Sequence, residues 1–122
     1  DMNWDIEKND VKIINMWSVV NIKGAFNARH IHPNSYLSAA YYIKAPQNCG
    51  DITFYDPRSA KTIRSPIRKS SNSVNHDNVN IIPKESLLVM FPSYLHHAVK
   101  ENQSEEERMV ISFNVDLKDK NY

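Results

Sequence analysis

Apolar residues in this chain come in short runs separated by turn chemistry, and no stretch shows a sustained 3.6-residue period. Val11 to Ile22 is rich in β-branched and apolar residues. Tyr36 to Ile43 is a second run, and a turn through Pro46 and Gly50 leads to a short strand, Ile52 to Tyr55, that stops at Asp56-Pro57. From Arg58 to Asn78 the composition shifts to Ser, Asn, Lys and Arg without an apolar pattern, which predicts a long loop of the kind that serves as a lid or shapes a site. Val79 to Ile82, Leu87 to Phe91 and Ala98-Val99 are three further candidate strands.

The last run is the clearest. Met109, Ile111, Phe113, Val115 and Leu117 alternate with Arg108, Val110, Ser112, Asn114 and Asp116, so one strand presents two different faces. The first set is expected to pack in a core between sheets. The second is expected to carry Arg108, Ser112 and Asn114 toward a polar cavity or toward solvent. Seven or eight short strands predict an all-β jelly roll, or the closely related double-stranded β-helix, as a single domain over residues 1–122.

Composition narrows the function more than the fold. At 41% hydrophobic and 10% aromatic the chain is globular, and its formal net charge of +1 gives no electrostatic reason to expect nucleic acid or a membrane as main partner. Two glycines, Gly24 and Gly50, cannot build a phosphate-cradling loop of repeated glycines, which sets aside Rossmann and P-loop nucleotide enzymes. Cys49 has no partner for an internal disulfide, so a reducing, cytoplasmic location is expected. No apolar run approaches the roughly 18 residues of a membrane span, and no signal-peptide core opens the chain. The opening Asp1-Met2 fits a domain cut from something longer.

The distribution of the five histidines carries the chemistry. His30 and His32 form an H-x-H in an extended stretch closed by Pro33, and in a strand residues i and i+2 point to the same side. His96 and His97 follow much later, within Phe91-Pro92-Ser93-Tyr94-Leu95-His96-His97. A pair from one strand and a third histidine from a distant strand is how a β-barrel builds a metal site with open coordination positions. His76, in a polar loop, and His96 are read as ordinary surface or packing residues.

Two families resemble this arrangement. The cupin pattern has a glycine six positions before H-x-H, where Gly24 stands, and a proline five before the distal histidine; Pro92 stands five before His97, which selects His97 over His96. The cupin glutamate is missing, however, with Tyr36 and Leu37 in its place, and Tyr94 replaces the distal glycine. The strings N-x-R-H-x-H-P-N-S-x-L-S from Asn27, F-x-D-P-R from Phe54 and F-P-S-x-L-x-H-x-V from Phe91 resemble a small microbial and phage branch of the 2-oxoglutarate–Fe(II) oxygenases, over roughly residues 15 to 116. That resemblance implies a dioxygenase that binds Fe(II) through His30, His32 and His97, uses 2-oxoglutarate as cosubstrate and releases succinate and CO₂. It also implies that Arg108 grips the distal carboxylate of 2-oxoglutarate, a bidentate task suited to guanidinium, and that Tyr42 reaches the same carboxylate.

His32 stands where these oxygenases usually have an aspartate, which makes the site one unit more positive and opens it to Zn²⁺. A cupin-like metal-binding protein or metalloenzyme without 2-oxoglutarate is therefore the alternative, and a non-catalytic jelly-roll binding module is a third. Other roles remain open for single residues. Arg108 is also placed to pair with Glu105 to Glu107, Tyr42 to pack in a strand, and Asp56-Pro57-Arg58 to close a turn. Lys61, Arg64, Arg68 and Lys69 read as a solvated loop. The substrate, small molecule or protein side chain, is not legible.

Overall fold

A computed structural model describes residues 3–59, 63–72 and 75–121. Among these residues the chain forms eight strands: β1 (Asn9–Asn21), β2 (Asn27–His30), β3 (Leu37–Lys44), β4 (Ile52–Tyr55), β5 (Asn78–Ile81), β6 (Leu88–Pro92), β7 (His97–Val99) and β8 (Arg108–Asp119). They pair antiparallel in two four-stranded sheets, one ordered β1-β8-β3-β6 and the other β2-β7-β4-β5. This is the double-stranded β-helix expected from the run spacing. The runs read from the sequence all become strands, with ends displaced by a residue or two.

Between the sheets lies a core of Ala40, Tyr42, Ile52, Phe54, Val89, Phe91 and Val110. Each large apolar side chain so removed from water contributes on the order of 1.5–3 kcal/mol. Phe54 and Phe91 meet across the two sheets with ring centroids 4.8 Å apart.

On β8 the polar set faces a cavity, one of the two expected outcomes, but Met109, Ile111 and Phe113 do not enter the core as expected. Cross-strand partners share a face; Val110 lies opposite Val19 and Tyr42, Ser112 opposite Trp17 and Ala40, and Asn114 opposite Ser38. Arg108, Val110 and Asn114 are buried, and this set lines the interior. Met109, Ile111 and Phe113 take the outer face and are only half-buried, beside exposed Met16, Val20, Tyr41, Leu88 and Met90. On that face Val115 is buried, where it pairs with Leu37. The reason is physical: the interior of this sandwich holds a polar site, so the polar side of the alternation points inward.

Several described residues between β4 and β5 are held locally. Arg58 bonds Asp56 through Nε at 2.9 Å and Nη2 at 2.7 Å, so Asp56-Pro57-Arg58 closes a turn on itself. Arg68 is paired with Asp77, while Arg64 and Lys69 are exposed, and Lys61 falls outside the described residues. Among the described residues, no helix is long and apolar enough to cross a membrane.

Candidate metal centre

Strand pairing brings two of the histidines together before any side chain is considered. His30, the last residue of β2, lies directly opposite His97, the first residue of β7. His32 follows two residues on, where Pro33 disfavours helical geometry and the His32 N–H donates to the Ser93 carbonyl at 3.0 Å. The chain then reverses at Asn34, in the left-handed region at φ 63°. All three rings thus converge, with centroids 4.2 Å (His30–His97), 5.0 Å (His30–His32) and 5.1 Å (His32–His97) apart. One ligand atom from each lies within 4.8 Å of the others, a group that could hold a metal ion.

The outer nitrogens determine what the inner ones offer. His30 Nδ1 contacts the Ala28 carbonyl at 2.7 Å, His97 Nδ1 the Leu95 carbonyl at 3.0 Å and His32 Nδ1 the Asn114 Oδ1 at 2.9 Å. Each partner is an oxygen that only accepts, so each Nδ1 carries the proton and each Nε2 presents a lone pair. His30 Nε2 and His32 Nε2 then face one another at 3.1 Å. Two bare lone pairs at that distance repel unless a cation lies between them. Two nitrogens each about 2.1 Å from one ion, at angles between octahedral and tetrahedral, stand roughly 3.0–3.4 Å apart, which matches. Burial pushes the His97 pKa down to about 4 and lowers that of His32, with the neighbouring histidines acting in the same direction. Both are therefore neutral at pH 7 and able to ligate a metal ion. Among the described residues the donor set is three imidazoles without a carboxylate, which suits a divalent transition ion including Fe(II) or Zn(II).

Beside the triad a cavity of about 80 Å³ runs into the sandwich, lined among others by His30, His32, His97, Trp17, Tyr42 and Arg108. At about 10–15 Å³ per water by the same measure, it has room for a handful of waters or a small ligand. Arg108 does not pair with the neighbouring glutamates; Glu105 pairs with Lys23 and Glu106 with Lys44. Instead its guanidinium is buried, and Nη1 donates to the carbonyls of Cys49, Gly50 and Lys100. Gly50 makes this approach feasible, since at φ 92° a Cβ there would collide with the Lys100 carbonyl. Arg108 Nη2 is buried and has no hydrogen-bond partner among the described residues. A buried guanidinium nitrogen left unpaired costs free energy that an anionic ligand would recover. Tyr42 is 1% exposed, and burial raises its hydroxyl pKa to about 12 against the opposing pull of Arg108.

His96 is exposed beside the cluster but outside it. His76 lines a separate cavity with Asp56 and Arg58. Residues not among the expected metal ligands or cosubstrate contacts also join the centre. Trp17 stacks on His32 at 5.7 Å, and Asn114 Oδ1 accepts a hydrogen bond from His32 Nδ1. Ser38, Ser93 and Ser35 continue from Asn114 in an unbroken chain of hydroxyls. Those serines sat within the strings of the resemblance, but an isolated serine carries no periodic pattern that marks it.

Residues 15–114 match the family described as "Putative 2OG-Fe(II) oxygenase". Among solved structures, an oxidoreductase of the 2OG-Fe(II) oxygenase family from Burkholderia pseudomallei is similar with a TM-score of 0.68 at 11% identity, covering 88% of this chain and 45% of the other. A Pseudomonas putida prolyl-4-hydroxylase is similar with a TM-score of 0.58 at 18% identity, covering 81% of this chain and 50% of the other. A cupin domain from Bordetella pertussis is similar with a TM-score of 0.51 at 14% identity, covering 88% of this chain and 90% of the other. At these identities the structures show the shared fold. The chain spans about half the length of the two oxygenases. A search of curated proteins gives no match. The family match covers most of the chain, and this protein belongs to the 2OG-Fe(II) oxygenase family.

Proposed function

We propose that this member of the 2OG-Fe(II) oxygenase family is a dioxygenase domain that oxidises, most simply by hydroxylation, a small molecule or protein side chain while 2-oxoglutarate is converted to succinate and CO₂. The observation that carries the reading is one cavity holding both halves of a cosubstrate site: three converging Nε2 lone pairs and a buried Arg108 Nη2 with no partner. His30, His32 and His97 would hold Fe(II), which when bound supplies oxygen activation that no side chain can provide. Arg108 would bind the distal carboxylate of 2-oxoglutarate. Its Nη1 is already fixed by three backbone carbonyls, so Nη2 is presented without further loss of side-chain entropy. Tyr42, its hydroxyl kept neutral by burial, can donate to the same carboxylate. The apolar wall of Ile52, Phe91, Val99 and Val110 excludes water and strengthens both contacts. Nucleic acid and membrane have no part in this reading, and the buried Cys49 fits a reducing, cytoplasmic location.

The test is an anaerobic titration of Fe(II)-loaded protein with 2-oxoglutarate, following the visible metal-to-ligand charge-transfer band. The band should appear in the wild type and be absent in His97→Ala. Arg108→Lys retains a cation for the Cys49, Gly50 and Lys100 carbonyls but loses the fork. A charge-assisted hydrogen bond worth about 1.5–3 kcal/mol predicts a dissociation constant roughly ten- to a hundredfold higher in that variant. Iron binding without any band would refute the reading. It would favour a cupin-like metalloprotein, which the carboxylate-free donor set also suits.

A further inference from the structure

The polar chain behind His32 has a direction. Asn114 Oδ1 accepts from Ser38 Oγ at 2.7 Å and faces His32 Nδ1 at 2.9 Å. Ser38 has spent its only proton on Asn114, so the 2.8 Å contact between Ser38 and Ser93 is donated by Ser93. Ser35 Oγ in turn donates to Ser93 Oγ at 2.8 Å. Every hydroxyl in the series Ser35, Ser93, Ser38 therefore donates toward one amide oxygen. Ser38, Ser93 and Asn114 are 0%, 1% and 6% exposed, so water does not readily substitute for any of these three. Ser93 also supplies the carbonyl that holds the His32 backbone, and β3 and β8 hold Ser38 opposite Asn114.

That direction favours one kind of group at position 32. In this orientation the amide oxygen of Asn114 faces it and can only accept, so the residue there must donate an N–H from its far side while presenting a lone pair to the cavity. An imidazole does both. An aspartate offers no proton, and it would set oxygen against oxygen unless the Asn114 amide flipped and the Ser38, Ser93 and Ser35 hydroxyls turned with it.

We infer that Asn114, oriented by Ser38 and Ser93, is a positioning residue that makes position 32 a histidine ligand position, so that the centre is built for three neutral imidazoles rather than for two and a carboxylate. The inference rests on the metal-site reading above but not on 2-oxoglutarate use. A group that orients a ligating histidine typically contributes ten- to a hundredfold in metal affinity.

The experiment is Co(II) binding followed by its visible ligand-field spectrum, on wild type, Asn114→Leu, Asn114→Asp, Ser38→Ala and His32→Asp, with circular dichroism of each. Asn114→Leu should weaken Co(II) binding ten- to a hundredfold, and Asn114→Asp, which keeps the acceptor, should restore it. Ser38→Ala frees the amide and should weaken binding by a smaller factor, which decides the matter if Asn114→Leu does not fold. His32→Asp should bind more weakly than wild type and should recover when Ser38→Ala is added, because the amide is then free to turn its NH₂ group toward the carboxylate. Equal affinity in wild type, Asn114→Leu and Ser38→Ala would overturn the inference, as would His32→Asp binding at least as tightly as wild type. Intact Co(II) binding without a 2-oxoglutarate band removes the oxygenase reading and leaves this inference standing.

Discussion

In the metal-free protein, His97 should link stability to pH. Its ring is 3% exposed and packs against Phe91 at 4.6 Å and Phe54 at 5.9 Å. Burial is the main reason its pKa falls to about 4, from 6.5 in an unperturbed histidine. Between those values the unfolded chain binds the proton that the folded one refuses, so stability falls as the pH drops. Above about pH 6.5 both states are neutral at this group and it contributes no slope. Linkage gives a loss of about 2 kcal/mol by pH 5, approaching a limit of about 3 kcal/mol below pH 4. Urea unfolding in the presence of a chelator, at pH 7.5 and pH 5.0, would measure it against His97→Gln, which has no titrating ring. Wild type should lose about 2 kcal/mol more than the variant over that interval. His32, also lowered by burial, adds a loss of the same sign to both proteins and largely cancels in the comparison. If the two proteins lose stability equally, His97 does not titrate as its burial requires, and the case for three neutral ligands weakens with it.

Further outcomes follow from the same geometry. Zn(II) at a hundred times its Kd should raise wild-type stability by about 2.7 kcal/mol in a thermal or urea melt, and should leave His97→Gln unchanged. Phe91→Ala removes a ring at 6% exposure that touches both Phe54 and His97; a loss of about 3–5 kcal/mol is expected from urea unfolding. Gly50→Ala places a Cβ against the Lys100 carbonyl at a positive φ, and should destabilise by at least 1–3 kcal/mol on the usual cost of such strain while disturbing the carbonyls that hold Arg108. Tyr42→Phe keeps the packing and should raise the 2-oxoglutarate Kd by less than Arg108→Lys does in the charge-transfer titration.

What could be read from the chain and what could not divides along physical lines. Strand existence was legible because apolar runs and turn residues alternate on a short scale, and Ile52–Tyr55 has the bounds expected of it. The H-x-H was legible because a two-residue period is a local property, and His30 and His32 do face one point. The inside of β8 was not. Alternation shows that a strand has two faces without showing which is enclosed, and Met109, Ile111 and Phe113 satisfy an inward reading as well as an outward one. The pairing of Arg108 with Asn21 and of Val110 with Tyr42 settles the matter, and that pairing depends on strands far apart in sequence.

The same limit explains why His32 looks anomalous on its own. Against the oxygenase pattern it is an imidazole in a carboxylate's place, a change that would cost one negative charge at a bound metal. Asn114, more than eighty positions later, is merely a polar residue in an alternating strand. Only the antiparallel pairing of β3 with β8, and the turn after β6 that brings in Ser93, put these facts in one place. There the amide oxygen needs a donor and the ring supplies it. A carboxylate at position 32 would need a different residue at 114, or a different proton on Ser38. The two positions are chemically one choice, and an account of the metal preference has to be made for the pair.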